Sequence, residues 1–220
     1  TRSLRYPASV WPAISVADDG RIAVAWQDNR EDIDPLFTGR FLFGEGSNPD
    51  DWRIQIRERG VGGQWGGIVE LGDADMADRH PAIAYDGDGR LWAVWDAQPL
   101  SSSGSDRMVY GARDNGDLGF GPIIRLARNE RGQGQFPRLS RRNDGSLRAA
   151  WYDSRSEDWR WRIMTAVSNA DGWVRAGLVM SPANNTWPAL AGDHMVFSSD
   201  RGKRRIQRDN TQEVFHLRLP

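Results

Sequence analysis

Four residues stand directly before a proline at one recurring place in the chain: Trp11, His80, Phe136 and Trp187. Three aromatic rings and an imidazole at matching positions could stack on the C–H face of a sugar, or on another polar ligand with apolar faces. Charged residues recur further along in each case: Asp28 and Arg30, Asp96, Asp153 and Arg155, Asp200 and Arg201. Such carboxylates and guanidinium groups could take hydroxyls or an acidic substituent. The acids could also serve a glycosidase, which needs two carboxylates facing across one bond. His80 with Tyr152 could supply the base and acid of a lyase. A plainer reading makes the charges structural Asp–Arg ties and the pre-proline residues packing between units.

The elements that would position these residues are repeated. "WPAISVADDGRIAVAWQDNR" (11–30), "HPAIAYDGDGRLWAVWDAQP" (80–99) and "FPRLSRRNDGSLRAAWYDSR" (136–155) align without a gap, and "WPALAGDHMVFSSDR" (187–201) is a shortened fourth copy. From Pro to Pro the copies recur at 69, 56 and 51 residues. In each full copy an Asp-Gly pair separates two short apolar runs, which is a hairpin signal. The Asp-Gly pair makes Asp86 and Asp88 turn residues, not metal ligands, because the first acid is not kept in the other copies. Weaker strands follow in each unit: "WRIQIRER" and "GGIVELG", "RMVYGARD" and "PIIRLAR", "RIMTAVSN" and "RAGLVMS". Four strands per repeat predict an all-β fold, a β-propeller. The three tryptophans Trp26, Trp95 and Trp151 are expected in the packing between blades.

One propeller domain over 1–220 is expected, with blades at about 10–72, 79–128, 135–181, and 187–220 plus 1–9. In this reading the ring has four blades, and "LRYPASVWPAI" (4–14) closes the last one as its missing outer strand, leaving no exposed sheet edge. The alternative is a part of a larger propeller of five to seven blades. Either way the loops entering the innermost strands share one face, so the four pre-proline residues should ring the channel mouth. Thr1 as a terminal nucleophile suits this arrangement less well than a role in closure.

The quoted repeats, with "AWQDNRED", "AVWDAQP" and "AWYDSRSEDWRWRIMTAVSNADGW", resemble those of sialidase-like propellers of the BNR type. The resemblance covers essentially the whole chain and implies the architecture more than an activity; a secreted or periplasmic bacterial protein is expected. The Asp-box of that family, Ser-x-Asp-x-Gly-x-Thr-Trp, is not intact; "SNADGW" (168–173) and "GVGGQW" (60–65) keep only its Gly and Trp. No arginine triad can be matched, so no catalytic position carries over.

Composition narrows the partners. Thirty acidic and 29 basic residues leave a net charge of −1, which favours neither nucleic acid nor an anionic membrane. The only lysine is Lys203, an arginine bias expected of a GC-rich bacterial genome. No cysteine is present, and three histidines, His80, His194 and His216, fall in different parts of the repeat. No metal centre or cofactor is therefore expected. No apolar run is long enough to span a bilayer. The "NNT" sequon at 184–186 is a pattern only.

One connection breaks the repeat. Residues 31–51, "EDIDPLFTGRFLFGEGSNPDD", form a long aromatic insertion with Phe37, Arg40, Phe41 and Phe43. A connection of this length is expected to be a lid over the mouth, or a contact to a protein partner or second copy. Three functions follow: a lectin-like module binding glycan at the mouth, a sialidase-like hydrolase or polysaccharide lyase, or a structural subunit docking through 31–51. The absent catalytic motifs favour the first.

Overall fold

The computed structural model describes residues 9–29, 52–100, 106–116, 118–126, 133–154, 160–169, 172–179, 183–201 and 212–220. All its regular elements are strands, arranged as four antiparallel sheets. Sheet I holds β1 (Ser9–Val16), β2 (Ile22–Asp28), β3 (Arg53–Arg59) and β4 (Trp65–Leu71) in that order. Sheet II holds β5 (Met76–Tyr85), β6 (Leu91–Pro99), β7 (Met108–Arg113) and the short β8 (Ile124–Arg125). Sheet III holds β9 (Gly134–Arg141), β10 (Leu147–Asp153), β11 (Arg162–Asn169) and β12 (Gly172–Val179). Sheet IV has three strands, β13 (Asn185–Ala191), β14 (His194–Ser199) and β15 (Glu213–Arg218).

In sheets I, II and III the first two strands are joined by the predicted Asp-Gly turn. Gly20, Gly89 and Gly145 have φ of 91°, 71° and 85°, a region that Cβ-bearing residues rarely enter. Asp86 acts as the turn reading requires: its Oδ1 accepts the backbone N–H groups of Asp88 and Arg90 at 3.0 and 2.9 Å. The first strands of successive sheets lie against one another, β1 on β5, β5 on β9, β9 on β13.

The cores sit between sheets. Ala23, Ala25, Ile54 and Ile56 of sheet I meet Ile83, Leu91 and Trp95 of sheet II. Ala82, Val94 and Val109 of sheet II meet Trp151 and Met164 of sheet III. Ala150, Tyr152 and Ile163 of sheet III meet Met195 and Phe197 of sheet IV. Trp95 and Trp151 thus each face the preceding sheet. Trp95 and Trp151 are each 1% exposed, whereas Trp26 is only half-buried. Trp151 and its neighbour Tyr152 are both buried. They take opposite faces of β10, and both faces are buried because a sheet stands on each side.

The two end sheets each leave a face uncovered. Ile14, paired with Val24 across β1 and β2, is 68% exposed, and Val214 on β15 is 75% exposed. Val196 holds the repeat position of Ala25, Val94 and Ala150, which are fully buried, yet it is exposed. Of the segment 4–14 expected to close the last sheet, residues 4–8 lie outside the described residues, as does Thr1, and residues 9–14 belong to β1.

Candidate functional site

The four pre-proline residues share one backbone conformation. Trp11, His80, Phe136 and Trp187 have φ of 56°, 51°, 52° and 53°. Each lies within a register shift of its first strand: between Val10 and Ala13, Arg79 and Ala82, Gln135 and Arg138, and Thr186 and Ala189. A left-handed residue in a bulge re-aims its side chain, at a cost of about 1–2 kcal/mol for a residue bearing a Cβ. Four such strained residues stand at equivalent places, and strain of this kind persists only where the surrounding structure enforces it.

The bulges bring the rings together. His80 stacks on Phe136 with centroids 3.8 Å apart, Trp11 meets His80 at 4.8 Å edge-on, and Trp187 meets Phe136 at 4.7 Å. Trp11 also reaches Phe136 at 5.4 Å, and Tyr152 extends the cluster to Phe136 at 5.4 Å and Trp187 at 5.7 Å. His80 is buried, while Trp11 and Trp187 remain 42% and 46% exposed. The result is an aromatic platform with two tryptophans open to solvent.

The repeated acids do not form one set. Asp28 and Asp153 follow their tryptophans by two residues, so they share the tryptophan's face. Asp28 Oδ2 accepts the Trp26 indole N–H at 3.2 Å and the Ser9 hydroxyl at 2.6 Å. Asp153 Oδ2 accepts the Trp151 indole N–H at 3.3 Å. Asp96 follows Trp95 by one residue and therefore faces the other way. Its Oδ2 takes the backbone N–H of Phe136 at 2.9 Å and stands 2.8 Å from His80 Nδ1. The equivalence of Asp96 with the other acids, assumed from the repeat, is thereby corrected.

Asp78 compensates for the offset. It stands three residues before Pro81, where sheet I has Ser9, and its Oδ1 accepts the Trp95 indole N–H at 2.6 Å. Burial pushes its carboxyl up to about 7, against the lowering effect of the Trp95 and Asp73 N–H groups. That leaves Asp96 free for His80. Asp96 is wholly buried, and among the described residues its Oδ1 has no hydrogen-bond partner, with Arg107 Nε 3.6 Å away. A carboxylate at Nδ1 holds the neutral imidazole with its proton there and leaves Nε2 as an acceptor. The Tyr152 hydroxyl is raised above the ordinary phenol range, by burial first and by the Asp96 charge second.

Asp200 and Arg201 do not pair with each other. Asp200 accepts the backbone and side-chain N–H groups of Asn184 at 2.8 and 2.9 Å. Arg201 lies over the rings of Phe215 and Phe197 at 4.3 and 5.0 Å, and donates to Ser199 Oγ and Asn185 Oδ1 at 3.2 Å. Arg30, Arg155, Phe37, Arg40, Phe41 and Phe43 lie outside the described residues. His194 is the first residue of β14. Its Nδ1 stands 2.9 Å from Nε2 of His216, on exposed side chains of sheet IV. Among the described residues no three His, Asp or Glu side chains gather as a metal site, and no helix is long and apolar enough to cross a membrane.

No protein-family model and no curated protein matches the chain. Solved structures do. A Hadza microbial sialidase is 13% identical over 96% of this chain and 44% of its own, with a TM-score of 0.63. An α-L-arabinanase of Penicillium chrysogenum, complexed with arabinobiose, is 13% identical over 94% of this chain and 62% of its own, TM-score 0.63. An endo-arabinase from Bacteroides thetaiotaomicron is 15% identical over 95% and 74%, TM-score 0.54. The chain spans about half the length of the sialidase. At these identities the likeness shows a sialidase-like, propeller-type fold.

Proposed function

We propose that this chain binds carbohydrate at the aromatic platform, as a lectin-like module. One observation carries the reading: four non-glycine residues are held at φ near 50–56° so that their rings meet at one place, with Trp11 and Trp187 left exposed. Exposed indoles beside a buried polar pair suit a ligand with C–H faces and hydroxyls. The fold of glycan-acting proteins, arabinanase and sialidase among them, supports the ligand class. In this reading the protein works outside the cytoplasm.

A second reading, a glycoside hydrolase or lyase, has support from Asp96 alone. It orients His80 as a base, beside a tyrosine that stays protonated, and only sheet II has this arrangement. A glycan array with the purified chain and its Trp11→Ala/Trp187→Ala double variant tests both. Binding without turnover, lost in the double variant at unchanged melting temperature, supports the lectin. Turnover of a bound glycan that His80→Gln abolishes supports the enzyme. Glycan binding that survives the double variant overturns the platform as the site.

A further inference from the structure

At the other end of the strands from the aromatic platform, a cavity of about 440 Å³ opens between sheets II and III. Two β-turns build it. Gly87 of the first turn donates its N–H to the Gly145 carbonyl of the second at 2.8 Å. A Cβ on Gly87 would stand 2.8 Å from the Gly145 Cα, so only paired glycines allow the approach. Asp86, Asp88, Asp144 and Ser146 from these turns line the cavity, with Ser168 and Asn169 where β11 ends. Trp92 lies beneath, its indole N–H bound to Asp86 Oδ2 at 3.0 Å.

We propose that this cavity is a second binding site, for one or two units of a neutral, hydroxyl-rich ligand of the sugar class. Its size falls within the roughly 300–1,000 Å³ of small-molecule sites. Its lining offers carboxylate, amide and hydroxyl groups, the partners that sugar hydroxyls need. Three carboxylates against one lining guanidinium disfavour an anion. The place for a cation is taken, because Arg113 already lies 5.7 Å over the Trp92 ring and bridges Asp86 and Asp88 at 2.9 and 3.3 Å. Among the described residues the buried Arg113 Nε–H has no acceptor, so this guanidinium is not fully satisfied by the protein. This site stands on its own geometry and does not rest on the platform reading.

The test is an amide NMR titration of the full chain with L-arabinobiose and methyl β-D-galactopyranoside, with D-glucuronate as an anionic control. Saturable shifts at Gly87, Gly145 and Asn169 with a neutral sugar are expected, unchanged in the Trp11→Ala/Trp187→Ala variant. Asp88→Asn, on an exposed side chain, should weaken them about tenfold, and Asn169→Trp should abolish them by filling the cavity. No saturable shift at these amides with either neutral sugar overturns the proposal. Tighter binding of glucuronate, or shifts indifferent to both cavity variants, overturns it as well. Because the platform variant leaves this readout intact, failure of one site is visible apart from failure of the other.

Discussion

Oδ2 of Asp96 lies 2.8 Å from Nδ1 of His80, and the same oxygen holds the backbone of the next sheet through Phe136. One carboxylate therefore fixes an imidazole and a strained residue at once. The neutral His80 ring is expected as its Nδ1–H tautomer, seen in long-range 1H–15N spectra. Asp96→Ala should return a tautomer mixture and cost about 1.5–3 kcal/mol in urea unfolding, as for lost hydrogen bonds to a charge. An unchanged tautomer in that variant would remove the positioning role of Asp96.

The tryptophans of the repeat should not be equal in stability. Trp95→Ala and Trp151→Ala, each emptying a buried space between two sheets, should cost about 3–5 kcal/mol. Trp26→Ala should cost less than half as much, because no described sheet covers its face. Chemical denaturation of the three variants side by side would decide it, and equal losses would contradict the uncovered face of sheet I.

Asp78 predicts a pH dependence. Its folded carboxyl is raised to about 7 from an ordinary 3.8, so the folded state holds the proton more tightly than the unfolded chain. That contribution is full below about pH 4 and is lost as pH rises through about 7. The total is on the order of 4 kcal/mol. Asp78→Asn keeps an acceptor for the Trp95 indole and removes the titration. The stability difference between variant and parent should therefore grow from pH 4 to pH 7 and level off above. A difference independent of pH would show that Asp78 is ionised throughout.

Glycine should be the better small residue at the platform. Trp187 has φ of 53° and is 46% exposed, so little packing is lost on truncation. Trp187→Gly should be more stable than Trp187→Ala by about 1 kcal/mol, the reverse of the usual order. Differential scanning calorimetry of the pair checks this, and an alanine variant that melts higher would mean the left-handed backbone relaxes at no cost.

Much of this was legible in the repeats. The Asp-Gly pairs locate the turns, and recurrence marks the residues before Pro12, Pro81, Pro137 and Pro188 as one equivalent set, whose rings the structure brings into contact. What recurrence hid was the value of a single residue. "AWQD" and "AWYD" place the acid two after the tryptophan and "VWDA" places it one after, and a strand converts that offset into opposite faces. Counting would have shown it. The approach of Gly87 to Gly145 was not legible, since it joins turns 58 residues apart and depends on how two sheets pack. The pairing of His194 with His216 escaped for a similar reason: it is diagonal across two strands, and no local pattern encodes it.

The side chain directly after the repeat tryptophan also clasps the sheet that follows. Gln27 holds the His80 backbone N–H at 2.8 Å, as Asp96 holds that of Phe136 at 2.9 Å. The arc therefore has a direction, like a chain of hooks and eyes, and sheet II carries both parts. Units of this kind can be counted and copied. An arc lengthened by duplicating residues 76–126 keeps a matched hook at the new junction, where Asp96 of the first copy meets the His80 N–H of the second.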